Sequence, residues 1–103
     1  MSALKLDIPH TLPKAEAKQR VERLIHYWRD KYGVKAEWKG DAAKLSGKVM
    51  GITLAADLEV RDGKVDGEAT DPGFLLRDRA KKYLTDKFAS YLDPSKQLAD
   101  LKG

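Results

Sequence analysis

Residues 34–70, VKAEWKGDAAKLSGKVMGITLAADLEVRDGKVDGEAT, read as four strands joined by three two-residue turns at Gly40-Asp41, Gly47-Lys48 and Asp62-Gly63. Glycine and aspartate at such positions supply the backbone conformations that tight hairpins need. The first turn sets Trp38 opposite Ala43, Ala36 opposite Leu45 and Val34 opposite Gly47. The second sets Leu45 opposite Met50 and Ala43 opposite Ile52. The third sets Val60 opposite Val65, Leu58 opposite Gly67 and Ala56 opposite Ala69. All of these fall on one face, and slipping any turn by one residue would move apolar side chains to the polar face.

The flanking segments supply what that face requires. Leu4, Leu6 and Ile8 alternate with Lys5, Asp7 and Pro9, the pattern of a half-buried strand that ends or lies on an edge at Pro9. A helix starts near Pro13 and carries an apolar stripe of Ala17, Val21, Leu24, Ile25, Trp28 and Tyr32, with Gly33 as its stop. After Asp71-Pro72-Gly73 a second helix carries Leu76, Ala80, Tyr83, Leu84, Phe88 and Leu92, and Asp93-Pro94 closes it. The sum is an α+β fold of order β-α-β-β-β-β-α. The expected sheet is antiparallel and five-stranded, order 2-3-4-5-1, with both helices on one face. The small residues Ala56, Gly67 and Ala69 leave room for a helix to approach. One domain over residues 1–93 and a short, frayed tail over 94–103 complete the expectation.

Composition narrows the function classes. The 103 residues include no cysteine, which excludes disulfides, thiolate nucleophiles and zinc–cysteine sites. No run has the length of a signal-peptide core or a membrane span, so a cytoplasmic protein without a transmembrane segment is expected. The net charge of +4 is unevenly spread. Residues 13–32 hold six Lys or Arg against three acids, and residues 74–92 hold five against two. Residues 33–73 reverse this, with six basic residues and eight acids. The helices are therefore basic and the sheet mildly acidic. Basic helix backs carrying Arg20, Arg23, Arg77, Arg79, Lys81 and Lys82 are either solvated faces or contacts for an anionic partner.

The residues display no reaction. His26 lies four residues from both Glu22 and Asp30, on an exposed mixed-charge face, and two histidines are too few for a zinc site. His10 points inward by parity, as a hydrogen-bonded structural histidine or a pocket residue. Asp57 falls opposite Glu68, and Glu59 opposite Asp66, on the polar sheet face. Solvation, a cation or a basic partner could each relieve that like-charge pairing. General acid–base chemistry would need a desolvated carboxylate, which an open sheet face does not provide. Trp28, Trp38, Tyr32, Tyr83, Tyr91, Phe74 and Phe88 are either core residues or the lining of a cavity. No nucleic-acid signature, phosphate loop or nucleophile constellation is present. No catalytic residue, cofactor or metal is expected, and nucleic acid is not an expected partner. Candidate ligand or partner contacts are His10, Trp28, Trp38, Tyr83, Phe88, Arg77 and Arg79.

One order of features is distinctive: His10, Leu12, Ala17 opening a helix, Tyr32-Gly33, Trp38 before Gly40-Asp41, Gly51 within a strand, and a leucine-bearing C-terminal helix ending in Leu92-Asp93. Over residues 4–93 the chain resembles the small bacterial polyhydroxyalkanoic acid system proteins, encoded in regions linked to storage-polyester granules. It departs from them in the polar Gly67-Glu68-Ala69-Thr70. The resemblance implies a non-enzymatic accessory protein at the storage-granule surface, binding a granule component, a granule-associated protein or an acyl-type ligand. The topology is also similar to a reduced helix-grip fold, whose larger relatives hold apolar ligands between sheet and C-terminal helix. That leaves an apolar-ligand domain as an alternative, and an anionic-polymer binder as another. A homodimer over the uncovered sheet face is equally open.

Overall fold

The computed structural model describes residues 3–49, 51–70, 73–97 and 100–101. Its elements are β1 (Ala3–Pro9), α1 (Lys14–Tyr32), β2 (Lys35–Lys39), β3 (Ala42–Val49), β4 (Ile52–Arg61), β5 (Lys64–Thr70) and α2 (Phe74–Tyr91). The five strands form one antiparallel sheet of order β1-β5-β4-β3-β2, the topology expected from the turn pattern.

Two of the three expected turns stand as read. Lys39 pairs with Ala42 across Gly40-Asp41, and Arg61 pairs with Lys64 across Asp62-Gly63. The expected Gly47-Lys48 turn does not form. β3 runs on to Val49, which pairs with Ile52, and Gly51 follows in the turn with φ of 80°. Leu45 therefore lies opposite Ala56 rather than Met50, and Ala43 opposite Leu58 rather than Ile52. Met50 itself falls outside the described residues. Gly47 serves a different purpose. A Cβ there would sit 3.0 Å from the Val34 Cα and 3.2 Å from its Cγ2. The glycine lets the end of β3 lie flat against the chain leaving α1. Because the register moves by an even number of residues, the inward side chains stay inward.

Those inward residues make the core. Leu4, Leu6, Ile8, Ala43, Leu45, Leu54, Ala56, Leu58, Val60, Val65 and Ala69 are buried together with Ala17, Val21, Leu24, Ile25 and Trp28 of α1. Helix α1 packs on β3 and β4, while α2 packs on β1 and on α1, so both helices cover the same face. Gly67 does not receive a helix. Its empty side is filled by Leu58, whose Cδ2 would lie 2.6 Å from an added Cβ. Gly33, at φ 74°, ends α1 in the left-handed conformation that a glycine stop provides.

The second helix departs from its expected stripe at the start. Leu76 is 37% exposed, and the buried series is Ala80, Leu84, Phe88, Tyr91 and Leu92. Tyr91 is buried where Leu76 was expected, and α2 rests on β1 and α1. The segment after α2 is not frayed where it is described. Leu101 is 6% exposed in the core. The Asp93 side chain accepts hydrogen bonds from the Ser95 N–H at 2.9 Å and the Ser95 hydroxyl at 2.7 Å. Leu98, expected to join a final turn, lies outside the described residues.

Candidate functional site

Each expected contact residue has a definite place. His10 is buried, and both ring nitrogens are committed. The Leu12 N–H donates to Nδ1 at 3.2 Å, so the proton resides on Nε2, which donates to the Arg61 carbonyl oxygen at 3.0 Å. The ring ties the β1–α1 connection to the β4–β5 hairpin, which is the structural alternative of the two.

Trp28, Tyr83 and Phe88 come together at the seam between the helices. The Trp28 ring meets Phe88 edge-on, with centroids 5.8 Å apart and planes at 80°. Trp28 Nε1 donates to the Tyr83 hydroxyl at 3.1 Å. Burial holds the Tyr83 hydroxyl above the ordinary tyrosine pKa of 10.0, partly opposed by the hydrogen bond from Trp28. Lys31 and Lys87 stand over the rings of Tyr27, Tyr32 and Tyr83 at 4.9–5.9 Å from the centroids. The seam is a packed, amphipathic joint. Trp38 is remote from it, half-buried on β2 with the Lys18 ammonium 5.3 Å from its ring centroid. Arg79 is exposed on α2, and Arg77 is exposed at the edge of an open depression described next. The Phe74 side chain is not among those described.

Sequence reasoning placed Arg20 with the exposed cations of α1. The structure buries it at 2% exposure. Its guanidinium donates to the carbonyl oxygens of Tyr91 at 3.3 Å, Asp93 at 2.8 Å and Lys96 at 2.5 Å, and pairs with Glu16 at 2.9 Å. The end of α2 offers several carbonyls without helical partners, and a planar five-donor cation suits them. The signal was available: Arg20 stands three residues after Ala17 and four before Leu24, inside the apolar stripe.

The side of the sheet opposite the helices carries an open depression of about 1070 Å³. Ser46, Ala55 and Thr70 lie in one row across it, with Lys44, Asp57 and Glu68 in the next. Gly73 and Arg77 bound one end. A second hollow of about 490 Å³ continues across the face and shares Asp57 and Glu68. The small side chains give the trough its depth. Asp57 faces Glu68, and Glu59 faces Asp66, as the sequence register implied. The second pair is neutralised. Arg61 reaches Glu59 at 3.0 Å and Asp66 at 2.6 Å, and Lys64 reaches Asp66 at 3.3 Å. Asp57 and Glu68 form no ion pair among the described residues. Both carboxylates stand in water, so the trough presents charge for contact rather than a desolvated acid or base.

Among the described residues no group of three or more His, Asp or Glu is placed to hold a metal ion. No described helix is long and apolar enough to cross a membrane. No curated protein and no solved structure matches the chain. A family model does match, over residues 4–95, and its description reads "Putative polyhydroxyalkanoic acid system protein". That span takes in all five strands and both helices, so the chain belongs to the polyhydroxyalkanoic acid system protein family.

Proposed function

We propose that this chain is a non-catalytic accessory protein of polyhydroxyalkanoate metabolism that binds a granule component through its surface, in the cytoplasm and at the storage granule. The family match over residues 4–95 carries the reading. The distribution of charge supports it: Arg77, Arg79, Lys81 and Lys82 are all exposed on α2, beside the exposed Leu76. A helix back of this kind suits an anionic surface, with one apolar side chain available for contact. Surface binding is favoured over an enclosed apolar ligand because Trp28, Leu84, Phe88 and Val65 fill the space where a helix-grip cavity would open.

Co-sedimentation tests the proposal. Fluorescently labelled protein mixed with isolated polyhydroxyalkanoate granules is expected to pellet with them. The bound fraction should fall with added salt and in the Arg79→Glu/Lys82→Glu variant, whose exposed positions leave the fold intact. Protein that stays in the supernatant at low salt overturns the reading.

A further inference from the structure

We propose that the uncovered sheet face is a self-association surface, and that its occupant is a second copy of this chain. The inference goes beyond the granule-binding reading and does not depend on it.

The face is charged in two halves. On β2 and β3 the outward cations are Lys35, Lys39, Lys44 and Lys48. On β4 and β5 the outward acids are Asp57, Glu59, Asp66 and Glu68. Arg61 and Lys64 neutralise Glu59 and Asp66 within the chain, whereas Asp57 and Glu68, which lie opposite Lys44 and Lys5 in the sheet, form no ion pair among the described residues. The four lysines of β2 and β3 likewise form no ion pair among the described residues. The charges left over on this face are thus positive on one side and negative on the other. Lys5 and Glu37, on the two edge strands, are the exceptions.

Such a face is complementary to itself along β3 and β4. A two-fold axis parallel to the strands, passing between β3 and β4, lays β3 of one copy over β4 of the other. Lys44 then stands over Asp57 of the second copy, and by symmetry Asp57 stands over its Lys44. Lys39 falls near Asp66 of the second copy, and Glu37 falls over its Glu68, a like-charge contact that weakens the pairing. Ala42, Ser46 and Ala55 surround this central pair on the outward face. Side chains that small let two sheets approach to the roughly 10 Å spacing of aligned sheet packing. Under this axis four strands of each copy overlap and β1 overhangs. Four strands spaced by about 4.8 Å, each about seven residues long at about 3.4 Å per residue, give roughly 450 Å² per copy. Twice that area falls below the range of specific, stable interfaces and in that of weak, transient ones, so the dimer should be weak and sensitive to salt. The two helical layers would then point away from each other, so one dimer would present α2 on opposite sides.

Charge reversal across the central pair provides the test. Sedimentation velocity should show the wild-type chain dimerising at low salt and dissociating at high salt. Lys44→Glu and Asp57→Lys should each dimerise about tenfold or more weakly, with circular dichroism showing both folded. An equimolar mixture of the two should recover a one-to-one dimer, because each then meets an opposite charge across the interface. This mixing step separates contact between copies from any effect inside one sheet. A wild-type chain that remains monomeric at low salt overturns the proposal. So does a mixture of the two folded variants that stays monomeric, or a dimer indifferent to both substitutions. Neither position lies on α2, so loss of dimerisation and loss of granule binding are distinguishable.

Discussion

The guanidinium of Arg20, in the second turn of α1, donates to the main-chain carbonyl oxygen of Asp93 at 2.8 Å. The contact joins two points 73 residues apart and fixes where the chain goes after α2. With the neighbouring bonds to Tyr91 and Lys96, one buried cation completes the end of one helix from the side of another.

Arg20→Met should therefore cost about 2–4 kcal/mol, since it leaves carbonyl groups without donors in a largely buried place. Arg20→Lys should recover only part of that, because one ammonium cannot span three carbonyls. Urea unfolding measures the loss. Limited proteolysis should cut residues 94–101 faster in Arg20→Met than in the wild type, and equal cutting would count against the role.

Asp93 adds an acid-sensitive element to the same segment. Hydrogen bonds from the Ser95 hydroxyl and N–H hold its carboxyl below the ordinary value of 3.8. A depressed carboxylate contributes stability that is full above its unfolded pKa and is lost as pH falls through the folded one. Amide protection at Ser95 and Lys96, relative to the intrinsic exchange rate, should fall below about pH 4 in the wild type. Asp93→Asn should lack that acid-dependent change.

Alkaline behaviour should centre on Tyr83. Its folded pKa is raised by burial, so its contribution is complete below the unfolded value of 10.0 and disappears as pH rises through the folded value. Lys14 and Lys31 are also raised above their ordinary 10.5, by Asp41 and by the Tyr27 hydroxyl, and decline in a neighbouring window. Comparing wild type with Tyr83→Phe isolates the tyrosine: only the wild type should show the tyrosine-dependent part of the fall in urea midpoint. At neutral pH the variant should be less stable by about 1–3 kcal/mol, because Trp28 Nε1 loses its acceptor.

The two glycines of the β3–β4 hairpin should respond differently. Gly47→Ala drives a methyl against the Val34 backbone and should cost about 1–3 kcal/mol. Gly51→Ala meets no neighbour, and its cost of about 1–2 kcal/mol comes from φ of 80° alone. Trimming the neighbour, as in Val34→Ala, should not rescue Gly47→Ala, because the nearest atom is the Val34 Cα. Full rescue in the double variant would contradict the close-approach account.

His10→Leu keeps bulk but removes both hydrogen bonds. The Leu12 N–H and the Arg61 carbonyl lose their partner, at about 1–3 kcal/mol. His10→Gln, which retains a donor and an acceptor, should lie between wild type and His10→Leu in thermal unfolding. The reverse order would argue against a hydrogen-bonded structural role.

Much of this architecture is legible locally. The alternation through Leu4, Leu6 and Ile8, the stripe from Ala17 to Trp28, and the glycines at positions 33, 40 and 63 each report on their own few residues. The Asp57–Glu68 juxtaposition was readable because the Asp62-Gly63 turn fixes it only a few residues away. The trough was not readable as a shape, since its depth depends on which small residues become neighbours across four strands. Leu76 has the helical spacing of a core residue and is exposed nonetheless, because the line along which α2 touches β1 and α1 is set by both neighbours.

The sequence by itself determined the element types, the apolar parity and the strand order, because periodicity and two of the turns are properties of short segments. The tertiary structure decided which glycine turns the β3–β4 hairpin. Gly47 and Gly51 are both competent locally, and their registers differ by an even number of residues, so parity cannot choose between them. The close approach of Val34 to Gly47 lies across the β2–β3 hairpin, and it accompanies the longer strand. The tertiary structure also decided that Arg20 is interior, because the carbonyls that compensate its burial come from residues 91, 93 and 96, which only folding brings to it.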